Sequence, residues 1–555
     1  MSQVLLVNLR RFGDIFGLGH VIAGLSAARP GVKVSLLVYK ESLAAAKVLS
    51  GVHQIFTIDR KEIITLKKNP IFNDGFALEK IFQDLKEMKA IRWNDIINTS
   101  NDSVSAHLCG YLRGSTSKIT GMSYNSSGVV IPSSDWDEVY NSLMPTLANS
   151  PIHMTDCLHQ MTATPIEIES EKVQLSTKHN ETAFKNINLV RNQKGPYAKV
   201  IGVQLFASST EKELSYDASE SLISALLGSD DYIPLILHAP DNVERERVKN
   251  LNQRFSNRLV TVEADFNALS SVLLNLDLLV SVDTSVMHLA DLNGTPVVEL
   301  SLGPSPFLKQ GPRSKDSFVL SSRLTTRVFE SAAYAKNPEL AKSNHAMGAG
   351  SIINTIDYFF KAQEKPVLDP NITLYKVVHD GLGVRYQAIS GSVDSRSEIQ
   401  RLMSRIVLLA LFDREPDESI TGELEGFDSS TINAWCEKEK YQITAITRDL
   451  LGSLRSLLKC LESKRAYNDF VSSLDRLLGH ADSDAIGALP TVLFRSRIEA
   501  INPNLSFHDK VKVIESFLYE LKSDLQLVFR TIKSTESNLP KGLPTRAPRE
   551  AVLNP

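Results

Sequence analysis

The stretch LLVSVDTSVMHLADLNGTPVVEL, residues 278–300, runs from an apolar strand pattern straight into Asp283, Thr284, Ser285 and His288, then through a short helical pattern into a second strand. Two chemistries fit those residue types. Asp, Thr and Ser at a helix start accept backbone N–H bonds, and an acid there suits the helix dipole. That accounts for Asp283 to Ser285 and leaves His288 idle. A ligand site at the carboxyl end of a parallel strand employs all four, because helix N–H groups there face outward and hold an anion. Two further turns carry similar groups. In RRFGDIFGLGH, residues 10–20, Asp14 follows Gly13 and is either a helix cap or a carboxylate projecting into a cleft, with Arg10 and Arg11 beside it. In VQLFASSTEKELSYDASESL, residues 203–222, Ser208, Ser209, Thr210 and Lys212 form either a solvated loop or a set of hydroxyls and one ammonium suited to a phosphate.

Familiar phosphate motifs do not explain these turns. The G-x-x-x-x-G-K-[ST] spacing is absent, and Gly17 and Gly19 come too far past the first strand for a dinucleotide fingerprint. His153, Cys157 and His159 suit a metal by type alone, and His20 reads as a capping or packing residue.

The elements that must position these residues follow a strand and helix rhythm. Apolar runs at 3–9, 32–39, 53–59 and 94–100 alternate with helical patterns, as do runs beginning at 198, 233, 258, 277 and 295. Such alternation predicts two parallel sheets covered on both faces, with a cleft between their carboxyl ends. From residue 366 the pattern changes to a hairpin and then to long amphipathic helices near 395–412, 431–463, 466–480 and 508–534, with a proline-bearing, disordered tail at 536–555. The apolar stripe at 402–412 reads as helix core.

Whole-chain properties narrow the function. With 555 residues the chain exceeds one core, and a net charge of -3 gives no support to wholesale nucleic-acid binding. Its four scattered cysteines form no readable disulfide framework, and no apolar run approaches the roughly 20 residues of a spanning helix. These features point to a cytoplasmic protein without a transmembrane segment.

The combined pattern resembles glycosyltransferase family nine, the ADP-heptose:lipopolysaccharide heptosyltransferases. The resemblance is carried by VLLVNLRRFGDI at the start, HMTDCLHQM at 153–161 and SVDTSVMHLADLNGTPVVELSLGPSP at 281–306, within residues 3–362. It implies an α/β GT-B fold: an N-terminal Rossmann-like acceptor domain with linker (1–170) and a C-terminal Rossmann-like nucleotide-sugar domain (171–365) face each other across a cleft. A mainly helical extension with a short hairpin (366–535) follows. The resemblance also implies an inverting transfer with no metal and no cofactor. Asp14 is then the general base. Ser208, Lys212, Asp283, Thr284, Ser285 and His288 hold the donor, with ADP-heptose favoured, while Arg10 and Arg11 meet a glycan or glycolipid acceptor such as lipopolysaccharide core. Ser285 stands where the family usually has glycine. Placement at the inner face of the inner membrane is a further expectation, and a protein partner is expected through 366–535. A polypeptide acceptor and a non-catalytic nucleotide-sugar-binding protein stay open as alternatives.

Overall fold

A computed structural model of the chain describes residues 2–71, 73–100, 102–125, 127–144, 150–166, 171–302, 307–322, 347–361 and 365–536. The expected disordered tail, apart from Glu536, and residues 303–306 of the quoted motif lie outside them.

The first domain is built on β1 (Gln3–Val7), β2 (Lys33–Tyr39), β3 (Val52–Ile58), β4 (Asp95–Asn98) and β5 (Lys118–Thr120), all parallel in the order β3-β2-β1-β4-β5. Neighbouring residues of one strand enter different cores: Val4 and Leu6 pack on the side of α1 (Phe12–Ala28), whereas Leu5 and Val7 pack with Leu85 of α2 (Asn73–Lys89) and Cys109 of α3 (Ser103–Leu112). Burial on both faces is why these strands read as unbroken apolar runs. A small antiparallel pair, β6 (Ser123–Tyr124) and β7 (Val130–Ile131), precedes the linker helix α4 (Met154–Thr162).

The second sheet contains β8 (Lys199–Gln204), β9 (Tyr232–His238), β10 (Val260–Glu263), β11 (Leu278–Val282), β12 (Val297–Ser301), β13 (Phe318–Ser322), β14 (Ile372–Asp380) and β15 (Gly383–Gly391). Its order is β10-β9-β8-β11-β12-β13-β14-β15, parallel as far as β13. The architecture is the expected pair of Rossmann-like domains facing across a cleft.

The hairpin expected inside the helical extension is instead the antiparallel end of this sheet, with Val319 opposite Tyr375 and Leu320 opposite Leu374. The physical reason is its two apolar faces: Ile372 and Leu374 join one core, while Tyr375, Val377, Val384 and Tyr386 join another around Phe307. The division expected at 365 therefore falls inside a sheet.

Two helices carry the domain seam, α5 (Phe266–Leu274) and α6 (Ser285–Asn293). Phe12 and Phe16 of α1 each meet Phe266 edge-on at 5.1 Å between ring centres. A Cβ on Gly19 would stand 2.7 Å from Leu292 of α6, so the glycines that mimic a dinucleotide motif serve close helix approach.

The extension comprises α7 (Ser395–Leu411), α8 (Glu418–Glu425), α9 (Ser429–Lys459), α10 (Lys464–Gly479), α11 (Ala488–Glu499) and α12 (Phe507–Glu536). Every residue of α7 from Ile399 to Leu411 except Gln400 is buried, which makes it the centre of the bundle. The extension grips both domains. Trp136 of the linker stacks on Phe412 at 4.0 Å, and Arg497 donates to both oxygens of Glu138 at 2.8–3.1 Å. Arg405 donates to Asp380 of β14 at 2.7 Å and to the Pro151 carbonyl at 2.9 Å. Among the described residues no helix is long and apolar enough to cross a membrane.

Candidate functional site

Strand order reverses between β1 and β4 in one sheet and between β8 and β11 in the other, and the connections leaving those strands open a crevice at their carboxyl ends. In the first domain the loop after β1 is fixed by buried polar contacts. Asn8 donates to Thr99 Oγ1 at 3.1 Å and accepts from the Arg10 N–H at 3.0 Å, and the Leu9 N–H donates to Ser100 Oγ at 2.8 Å. Arg11 begins α1, and Asp14 Oδ2 accepts its backbone N–H at 3.3 Å. The other oxygen, Oδ1, is shut off from solvent and has no hydrogen-bond partner. One oxygen thus caps the helix while the second is left for other work. Burial pushes the Asp14 carboxyl above its ordinary range, against the opposing pull of Arg10, His288 and the Arg11 N–H.

In the second domain Thr284 is the N-cap of α6 in extended conformation, and its side chain makes no capping bond. The Asp283 carboxylate takes the Lys212 ammonium at 2.5 Å and lies 3.8 Å from His288 Nε2. Thr284 therefore does not serve as the capping side chain that its residue type suggested. The helix N-terminus, whose N–H groups suit an anion, stands beside one ammonium. The Lys212 loop is held by Glu213, which accepts two bonds from Arg247 at 2.9 and 2.7 Å and the Ala207 N–H at 2.9 Å. Arg247 in turn lies over Phe206 at 4.3 Å.

The two halves meet at Gly13, where a Cβ would stand 2.5 Å from Cδ2 of His288. Asp14 and the α6 terminus therefore face each other across the narrowest part of the seam. A cleft of about 950 Å³ is lined by Arg10, Arg11, Asp14, Ser208, Lys212, Asp283, Thr284, Ser285 and His288 together. These nine residues, the ones expected to act as base, donor site or acceptor site, share one cavity, in which Ser208 is exposed and Lys212 well covered.

The same cleft holds residues that the sequence did not single out: Tyr39, Glu41 and Arg60 on the first-domain wall, and His238, Glu244 and Phe266 on the second. Arg60 donates to Glu41 at 3.1 Å and lies 4.7 Å from the centre of the Tyr39 ring. Each is a common residue type on an ordinary element, so only tertiary placement marks it.

Behind Asp14 a pocket of about 30 Å³, room for about one water, touches His20, His153, Asp291 and Arg313. Burial brings His20 down to about 4 and His153 to about 3, so both rings are neutral at neutral pH. His153 accepts the Thr155 N–H at 3.2 Å and its Nε2 lies 3.1 Å from the Gly311 carbonyl, while His159 pairs with Thr164 at 2.9 Å. Cys157 turns instead toward the Trp136 carbonyl at 3.5 Å. These three side chains are used separately, and no metal-like cluster of three His, Cys, Asp or Glu occurs among the described residues.

Residues 82–331 match the family model of glycosyltransferase family 9 (heptosyltransferase). Curated proteins gave no match. Similar solved structures include a glycosyl transferase family 9 protein from Veillonella parvula, 13% identical, covering 65% of this chain and 98% of that one with a TM-score of 0.47. The E. coli ADP-heptose LPS heptosyltransferase II is 13% identical, covering 57% and 90% with a TM-score of 0.42. E. coli heptosyltransferase WaaC with ADP is 14% identical, covering 57% and 92% with a TM-score of 0.42. By the family match, residues 82–331 belong to glycosyltransferase family 9, and the chain is a glycosyltransferase whose helical extension lies beyond that match.

Proposed function

We propose that this glycosyltransferase moves a sugar, heptose favoured, with inversion from a nucleoside diphosphate donor, ADP favoured, to a hydroxyl of a lipopolysaccharide core or other surface glycan. The observation that carries the reading is the meeting of an orphaned carboxylate oxygen on Asp14 with an ammonium and the N-terminus of α6 across one cleft. Asp14 Oδ1 takes the proton of the acceptor hydroxyl as its oxygen attacks the anomeric carbon. The bond from that carbon to the diphosphate oxygen breaks on the opposite side. A positioned base of this kind supplies on the order of 10²- to 10⁴-fold.

Negative charge gathers on the leaving diphosphate, and Lys212 with the N–H groups of Thr284, Ser285 and the first turn of α6 is suited to stabilise it. Lys212 is held by Asp283 in this structure, so donor binding exchanges a carboxylate for a phosphate at the same ammonium. Arg10 and Arg11, on the first-domain wall, suit an anionic acceptor.

A thermal-shift series with ADP, GDP, UDP and CMP tests the donor. A ligand at about 100 times its Kd adds about 2.7 kcal/mol, and ADP is expected to give the largest shift. A larger shift by UDP or GDP overturns the nucleotide assignment. Transfer is further expected to persist in excess chelator, since an ammonium and a helix N-terminus can supply the positive charge that a divalent ion would bring to a diphosphate. Strict Mg²⁺ or Mn²⁺ dependence of the initial rate would overturn that part.

A further inference from the structure

The extension ends in a patch that neither the cleft nor the family match uses. Helix α9 has 31 residues, about 46 Å at the α-helical rise. Its beginning is anchored: Trp435 donates to Gln400 of α7 at 2.9 Å, and Lys440 pairs with Glu536 at the end of α12 at 2.5 Å. Its other end, with the turn into α10, therefore stands at the far end of the bundle. There Leu458 and Leu461 are 67% and 52% exposed. Tyr467 and Phe507, exposed by 41% and 48%, meet edge-on at 5.7 Å between ring centres, tying the start of α12 to the start of α10.

Arg455, Lys459, Lys464 and Arg465 flank Leu458 and Leu461 along the chain and are all exposed. Among the described residues none of the four side chains makes a hydrogen bond or ion pair, whereas cations nearer the core, such as Lys440, Arg495 and Arg497, are paired. The acids nearest in sequence are Glu462 and Asp469, so the tip is net positive. Exposed leucines on a convex helix turn have no groove in which to seat a peptide. A ring of unpaired cations around an apolar point instead complements a surface that is anionic outside and apolar beneath.

We propose that the α9–α10 tip docks this protein on an anionic lipid bilayer, with Leu458 and Leu461 entering the headgroup boundary and Arg455, Lys459, Lys464 and Arg465 meeting lipid phosphates. The surface lies outside the donor cleft and does not depend on which sugar or acceptor the enzyme uses. Flotation of the full chain with phosphatidylcholine vesicles, with and without phosphatidylglycerol, tests it. The full chain is expected to float with the anionic vesicles only and to be released by high salt. Leu458→Glu with Leu461→Glu, and separately Lys464→Glu with Arg465→Glu, are expected to weaken that binding roughly tenfold or more. Because these side chains are exposed, melting temperature and nucleotide binding should match the unaltered chain, which separates failure at the tip from failure of the cleft. Equal binding to both vesicle types, or undiminished binding by the charge-reversed chain, overturns the proposal. So does a change from dimer to monomer by light scattering in the Leu→Glu chain, which would make a second copy the occupant.

Discussion

In the proposed reaction Asp14 is the residue on which the chemistry turns; one of its oxygens caps α1 and the other has no hydrogen-bond partner. Asp14→Asn keeps the capping acceptor and removes the proton acceptor. Turnover is expected to fall a hundredfold or more, about 2.7 kcal/mol of transition-state stabilisation, while donor affinity stays near its original value. The stability consequence has a definite sign. The folded-state carboxyl titrates above its unfolded value, so between the two values the folded chain holds more protons. Its favourable contribution is complete below the unfolded value and is lost as pH rises through the folded one. Asp14→Asn should accordingly melt no lower than the parent at neutral pH, and its advantage should shrink as the pH falls through the raised folded-state value and be gone below the ordinary carboxylate range, as calorimetry across pH will show. An unchanged turnover with donor and acceptor supplied would take Asp14 out of the mechanism.

At the scale of elements, the start of α6 and the linker helix α4 carry different burdens. Thr284 is already extended and Ser285 opens the helix, so proline is compatible with the backbone at 285 while removing one N–H. Ser285→Pro is expected to leave the fold intact and to weaken nucleotide binding by about 1.5–3 kcal/mol, the worth of a hydrogen bond to a charged group. Isothermal titration with the nucleotide measures it.

On α4, buried Asp156 accepts from Arg313 at 2.6 Å and from the Val384 N–H at 2.8 Å, tying the linker to both the donor domain and the hairpin. Burial alone would raise its carboxyl, yet Arg313, His153 and Val384 together hold it below the ordinary range. Asp156→Ala strands the guanidinium and should cost about 3–5 kcal/mol in urea unfolding. The parent should lose this contribution as pH falls through the lowered folded-state value.

For the whole molecule, the extension is part of the same packed body. One core cluster contains Leu18 of α1, Met287 of α6, Met403 of α7 and Val528 of α12. A chain ending at 365 loses β14 and β15 from the second sheet and uncovers that cluster. It is expected to be insoluble or to lack a cooperative thermal transition, so a loss of nucleotide binding on truncation there reports unfolding. A soluble, sharply melting fragment would show that the two domains close their core without the helices. The clasp of Arg497 on Glu138 and Arg405 on Asp380 also links the linker to the outer strands, so the helices set how the domains sit on either side of the cleft.

By itself the sequence determined the alternation of strands and helices, because parallel strands buried on both faces must be apolar throughout and their crossover helices must be amphipathic. It also singled out turns that line the one cleft, since Asp14, Lys212 and the Asp283 to His288 turn stand out by polarity against apolar flanks. The pattern marked the four long helices of the extension to within a few residues, for the same reason of periodicity, but passed over α11 and β13. Only tertiary structure decided where the hairpin belongs, because a two-faced apolar ribbon fits any covered sheet edge and its own residues do not name the partner. Packing likewise assigned the glycines of α1, whose value is the approach of His288 and Leu292 from another domain. It decided, too, that the Thr284 side chain makes no capping bond and that one oxygen of Asp14 has no hydrogen-bond partner. Those are relations between atoms far apart in the chain, and local pattern holds no record of them.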